Sequence, residues 1–205
     1  MHGKAENSGI EGARLAVIPG DSGVWVFIFA DMCAFAVFFL LFSVGRVAQP
    51  ELYEAARQQL DLQLGLANTL ILLTSGAFMA AAARTARAGN VQGTLHNLLL
   101  TLGVGSLFGL SKAVEWSAKF NHGIGLTTNE FFTYYFVFTG IHFLHFVIGL
   151  GVLLVLIARV RDISVQGGAM DGASLRWIEA GGAYWHMVDL LWIVLFAMLY
   201  LMRAA

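Results

Sequence analysis

Five stretches of this chain are long and apolar enough to cross a bilayer, and that leaves few folds open to it. They run from about Val24 to Val44, Leu64 to Arg84, Thr94 to Trp116, Phe131 to Ala158 and Ile178 to Met202. A spanning helix needs roughly 20 apolar residues at about 1.5 Å each. In hydrocarbon every backbone N–H and C=O must be paired within a helix or a closed barrel. Barrel-type alternation is absent, so the pattern predicts an all-α bundle of five transmembrane helices. Composition agrees. With 58% hydrophobic residues, 12% charged and a mean hydropathy of +0.72, a soluble globular domain is excluded.

Residues 1–23 form a polar segment of mixed charge (Lys4, Glu6, Glu11, Arg14, Asp21), without the basic-then-apolar order of a cleavable signal. Residues 24–202 read as one domain. The net charge of −1 points to no nucleic-acid partner, and the lone Cys33 admits no intrachain disulfide. Five spans put the termini on opposite sides. Seven Lys/Arg fall on the N-terminal side (Lys4, Arg14, Arg84, Arg87, Arg159, Arg161, Arg176) and five on the other (Arg46, Arg57, Lys112, Lys119, Arg203). The positive-inside bias therefore predicts a cytoplasmic N terminus and an outer C terminus.

Two connections are longer than the rest. Gly45–Gln63 begins with Pro50 at a helix N1 position and reads as a short surface helix with Leu52, Ala55, Ala56 and Leu60 on one side. Arg161–Arg176 contains Gly167, Gly168 and Gly172 and reads as a flexible inner loop. Small residues cluster within the spans, among them Gly76, Gly103, Gly105, Gly109, Gly149 and Gly151. Close helix approach explains them without any chemistry.

The polar residues inside the spans are what a hydrophobic bundle does not need. Titratable groups at membrane depth cost roughly 2.5 to 3.5 kcal/mol each on insertion scales. Asp31 lies about 10 Å below the interface. It serves either as an interhelical hydrogen bond or in a proton-linked or lipid-headgroup role. The fourth span carries His142 and His145, three residues apart and hence on one face. The fifth carries His186 and Asp189 at the same spacing. Trp185, Asp189 and Trp192 share a stripe there, and Asp189 is placed to pair with a histidine across the helix contact. Glu115 ends the third span and Glu179 opens the fifth, where plain helix-end solvation competes with a specific contact. Trp25, Trp116 and Trp177 fit an interfacial aromatic belt.

Three histidines and two acids in the membrane invite a metal or haem hypothesis. Against it, there is no finger-type Cys/His spacing and no haem-attachment motif. A bis-histidine haem joining His142 or His145 to His186 is demanded by nothing in the flanks.

Together the motifs resemble subunit III of haem-copper oxidases, the cytochrome c oxidase subunit III family. Trp25-Val-Phe-Ile-Phe-Ala-Asp31 is similar to its aromatic helix with one buried acid, and Asn68-Thr to Ser75-Gly is similar to the next helix. Glu115-Trp116 matches a Glu-aromatic pair. Phe138-Thr-Gly-Ile-His142-Phe-Leu-His145 resembles a Thr-Gly-Phe-His-x-x-His signature. Tyr184-Trp185-His186-Met-Val-Asp189-Leu-Leu-Trp192 resembles Tyr/Trp-Trp-His-Phe-Val-Asp-x-x-Trp. The likeness runs in order from about residue 19 to 202. The mitochondrial form has seven helices against five spans here, and its buried acid is usually Glu rather than Asp31. These departures make the chain look like the five-helix bacterial branch that includes the accessory protein of nitric oxide reductases.

The resemblance implies a non-catalytic subunit of a bacterial respiratory haem-copper complex, in the cytoplasmic membrane. Its partner would be an oxidase subunit I or the large subunit of a nitric oxide reductase. That partner would hold the haem and copper, and this chain no cofactor beyond structural phospholipid. Asp31, His142, His145, Trp185, His186, Asp189 and Trp192 would line or brace helix contacts or lipid, and Glu115 and Glu179 would be interface carboxylates. A small proton-coupled transporter using Asp31 and Asp189 is the alternative from another class, and a di-histidine metalloenzyme is a third.

Overall fold

Helix boundaries are set by caps written into the sequence. The computed structural model describes residues 22–202; most of the polar N-terminal segment, and Arg203, lie outside the described residues. Within them run α1 (Ser22–Ala48), α2 (Pro50–Arg57), α3 (Leu62–Arg87), α4 (Val91–Asn121), α5 (Glu130–Val165) and α6 (Gly172–Phe196), the last continuing as a π-helical turn over Ala197–Leu201. Asp61, Asn90, Asn129 and Asp171 each cap the next helix by accepting from backbone N–H groups in its first turn. Gly89 and Gly123 follow α3 and α4 at φ +73°, a left-handed conformation that costs a glycine little.

Five of these helices are long and apolar enough to span a membrane, as the sequence predicted. They run beyond the predicted windows because apolarity measures the bilayer, whereas the caps decide where helix ends. The difference matters twice. The predicted inner loop at Arg161–Arg176 shrinks to 166–171, since α5 reaches Val165 and Asp171 starts α6. And α4 runs on to Asn121, so Glu115 is not at a helix end. The short surface helix is present as α2, but it buries Tyr53 and Ala56 and leaves Ala55 exposed, while the buried Leu60 lies in the turn beyond its end.

The bundle is built around α6, which packs on α3 and α5, while α3 also pairs with α4 and α4 with α5. α1 lies against α5 and α6 more lightly and is the least buried of the five. Two glycines admit the largest core side chain. Added Cβ atoms at Gly105 and Gly149 would stand 2.8 Å and 3.1 Å from the Trp185 ring. Gly109 likewise faces Phe146, but Gly103 and Gly151 look onto open space, so the packing account covers only some of the predicted glycines.

Candidate functional site: polar clusters inside the bundle

The structure distributes the buried polar residues over four places rather than one. The first joins α1 to α5. His145 Nε2 lies 3.2 Å from Asp31 Oδ1, its Nδ1 is 2.9 Å from the carbonyl of Ile141, and Phe27 and Phe35 pack around the ring. A carbonyl only accepts, so Nδ1 carries a hydrogen. The bond to Asp31 then needs one more proton, held either by the carboxyl or by Nε2. The pair is neutral overall in both cases. Asp31 Oδ2 has no partner among the described residues.

The second place ties α5 to α6 and α3. His142 is fully buried, and its Nε2 donates to the Val188 carbonyl at 3.0 Å. The ring is edged by Phe108 and lies beside Trp192, whose Nε1 donates to Thr69 Oγ1 at 3.0 Å. Trp185 is packed on Gly105, Gly149 and Phe146, with its N–H unpaired among the described residues.

The third place was not legible as a site. Lys112, counted in the sequence as an outer-side cation, is buried in the bundle with Nζ 2.9 Å from Glu115 Oε2. Glu115 Oε1 accepts from Tyr135 at 2.5 Å and from Tyr200 at 2.7 Å, so every carboxylate oxygen is used. The ammonium also stands 5.0 Å from the Trp192 ring and 5.1 Å from that of Tyr135. Helix-end solvation, the plain account of Glu115, is therefore replaced by a network joining α4, α5 and the π-helical turn. Lys119 is buried beside it and donates to the Gln59 carbonyl. The available signal was the Lys112/Glu115 spacing of three, which puts opposite charges on one face. What hid it was ending the helix at Trp116.

The fourth place is α6 against α3. Asp189 pairs with His186 on its own helix, Nδ1 to Oδ2 3.5 Å, and not with a histidine across the contact; the cross-helix acid–imidazole pair is Asp31–His145. Asp189 is wedged against Gly76, where a Cβ would collide with its carboxylate. Near the helix ends Glu179 meets Arg87 of α3 at 2.8 Å, an ion pair rather than mere solvation. Trp25 and Trp177 are exposed, and Trp177 carries Arg159 over its ring at 4.8 Å.

Outside the spans, α2 is anchored by charge. Arg57 holds Glu54 through two nitrogens and donates to the Tyr200 carbonyl, which the π-helical turn leaves accessible. Tyr53 bonds Glu130 at 3.1 Å, and its burial pushes the phenol above its ordinary range. Among the described residues no three His, Cys, Asp or Glu side chains gather as a ligand set.

The arrangement is one of helix-to-helix ties, and the sequence comparisons agree with it. A family-wide profile described as cytochrome c oxidase subunit III matches residues 6–204. The chain belongs to the cytochrome c oxidase subunit III family. A cytochrome c oxidase subunit 3 of Synechocystis sp. is 32% identical over 180 residues, covering 88% of this chain and 74% of that protein. A quinol oxidase subunit 3 of Bacillus subtilis is 28% identical, covering 88% and 85%. A haem-copper oxidase subunit I+III of Aeropyrum pernix is 29% identical over 185 residues, which is 88% of this chain and 22% of that longer protein. These relatives are named as third subunits of a cytochrome c oxidase and a quinol oxidase, and as a joined subunit I+III of a haem-copper oxidase.

Proposed function

We propose that this integral membrane protein docks beside the catalytic subunit of a bacterial haem-copper complex and supports its assembly and proton uptake without a redox centre of its own. The observation that carries this is how the buried polar groups are used. His142 is committed to a backbone carbonyl, His145 to Ile141 and Asp31, and Lys112 to Glu115, each tying one element to another or bracing a helix. Haem and copper would sit in the partner. Structural phospholipid would line the lightly packed flank of α1, where Phe27 and Phe29 are exposed. In the cytoplasmic membrane the N terminus would face the cytoplasm. The burial of Lys112 and Lys119 removes two cations from the outer-side loops and widens the charge bias in that direction.

The transporter reading is not favoured. Carriers of that kind break helices near the midplane, whereas α3 to α5 run unbroken here and the irregular turn of α6 comes only at Ala197–Leu201. The test is purification of the chain from its native membrane in mild detergent. A haem-containing subunit should accompany it, and removing this chain should lower turnover of that complex without removing its haem. A haem absorption band in the isolated chain would overturn the reading. Assaying the complex with oxygen and with nitric oxide decides between an oxidase and a nitric oxide reductase partner.

A further inference from the structure

His186 stands where a membrane helix should not place an imidazole. It lies midway along the apolar run Gly172–Leu201, yet its side chain is 49% exposed on the outside of the bundle. The other polar side chains deep in the spans are turned inward: Asn68, Ser75, Thr101, Lys112 and His142 are fully buried. Exposed Thr74 bonds its own backbone. An imidazole facing acyl chains has no hydrogen-bond partner there, and an unpaired polar group in hydrocarbon costs several kcal/mol.

The geometry around it defines which atom is left over. Nδ1 faces Asp189, which is nine-tenths buried beneath it with Oδ1 unpartnered among the described residues. Asp189 engages Nδ1, which leaves Nε2 on the far side of the ring without a partner: an acceptor when the carboxyl is ionised, a donor when the carboxyl holds the proton. The surroundings are otherwise apolar and low. Gly76 lies behind the pair, and Leu73 of α3 and Leu190 of α6 are exposed beside it. Antiparallel register is fixed on either side by Thr69–Trp192 and Arg87–Glu179.

We propose that this α3–α6 face is the docking surface for the catalytic subunit, and that His186 Nε2 forms a hydrogen bond there with a hydroxyl or amide side chain of a partner helix. This rests on the accessory-subunit reading above. Lipid does not meet the requirement, because its polar atoms lie near the interfaces, about 15 Å from mid-span. A docked helix with one hydroxyl or amide at this level, able to donate or accept, satisfies Nε2 in either proton arrangement of the His186–Asp189 pair.

The experiment places a photoreactive amino acid at position 186, and in a second protein at position 110. Leu110 is 66% exposed on α4, which borders α3 and α5 rather than this face. Cross-links from 186 to the haem-bearing subunit, with none from 110, are the expected result. Cross-links from 186 to a second copy of this chain, or to lipid alone, overturn the proposal. His186→Leu should speed release of the haem-bearing subunit on dilution into detergent about tenfold, while His186→Gln, which keeps an acceptor, should stay within about twofold of the unaltered chain. Equal release by both variants and the parent also overturns it. If the unaltered chain brings down no haem-bearing subunit at all, the accessory-subunit reading itself has failed.

Discussion

Consider replacing Lys112 by Met, Glu115 by Gln, and both together. The two side chains are 1% and 4% exposed, so water screens neither. Lys112→Met leaves a carboxylate inside the bundle with two tyrosine hydroxyls as its only donors. Glu115→Gln leaves an ammonium whose remaining contacts are those hydroxyls at 3.3 and 3.4 Å and two aromatic faces. Breaking a buried pair from one side costs about 3–5 kcal/mol, a large part of the ~5–15 kcal/mol that holds a domain folded. The double variant removes both charges. Its amide oxygen still accepts from Tyr135 and Tyr200, which leaves about 1–3 kcal/mol for the amide hydrogens that lose a partner. The singles should therefore sum to roughly 6–10 kcal/mol against about 1–3 for the pair together, a coupling of several kcal/mol. Unfolding the chain in mild detergent with rising mole fraction of SDS, followed by far-UV circular dichroism, measures all three. Additive losses, with coupling under about 0.5 kcal/mol, would refute the claim that the two residues act as one ion pair.

Three further outcomes follow from other contacts. Asp31→Asn should be mild, since its amide can donate to His145 Nε2, whereas Asp31→Leu should cost about 1–3 kcal/mol by orphaning that nitrogen; equal loss of partner activity in both would show that proton exchange, not hydrogen bonding, is the task of Asp31. Gly105→Ala should destabilise by about 1–3 kcal/mol by forcing the Trp185 ring aside, and Gly103→Ala, with nothing within 4 Å, should be neutral or slightly stabilising in the same unfolding assay. The Ser174 hydroxyl and N–H hold the Asp171 carboxyl below its ordinary range at the start of α6. A lowered native value stabilises the fold above the unfolded value, and that contribution disappears as pH falls through the acid range below about 4. Asp171→Asn, an equally good cap, should remove this acid-dependent part while leaving neutral-pH stability nearly unchanged.

What could be read from residues alone followed from local physics. Backbone pairing in hydrocarbon makes an apolar run of twenty residues a helix wherever it sits, so five spans needed no tertiary information. The spacing of three brings His186 onto Asp189 as read, but it does not hold His142 and His145 to one contact, since His142 turns to Val188 of α6 and His145 to Asp31 of α1. The order of the motifs carried the family. Tertiary structure decided the partners, because a pairing across helices depends on rotation and depth that no single span encodes. It gave Asp31, not Asp189, the histidine of a neighbouring helix. It also drew Lys112 and Glu115 inward, where the π-helical turn delivers the Tyr200 hydroxyl from 85 residues away. And it left His186 facing outward, which periodicity cannot show, since a helix's polar face is inside or outside only once its neighbours are in place.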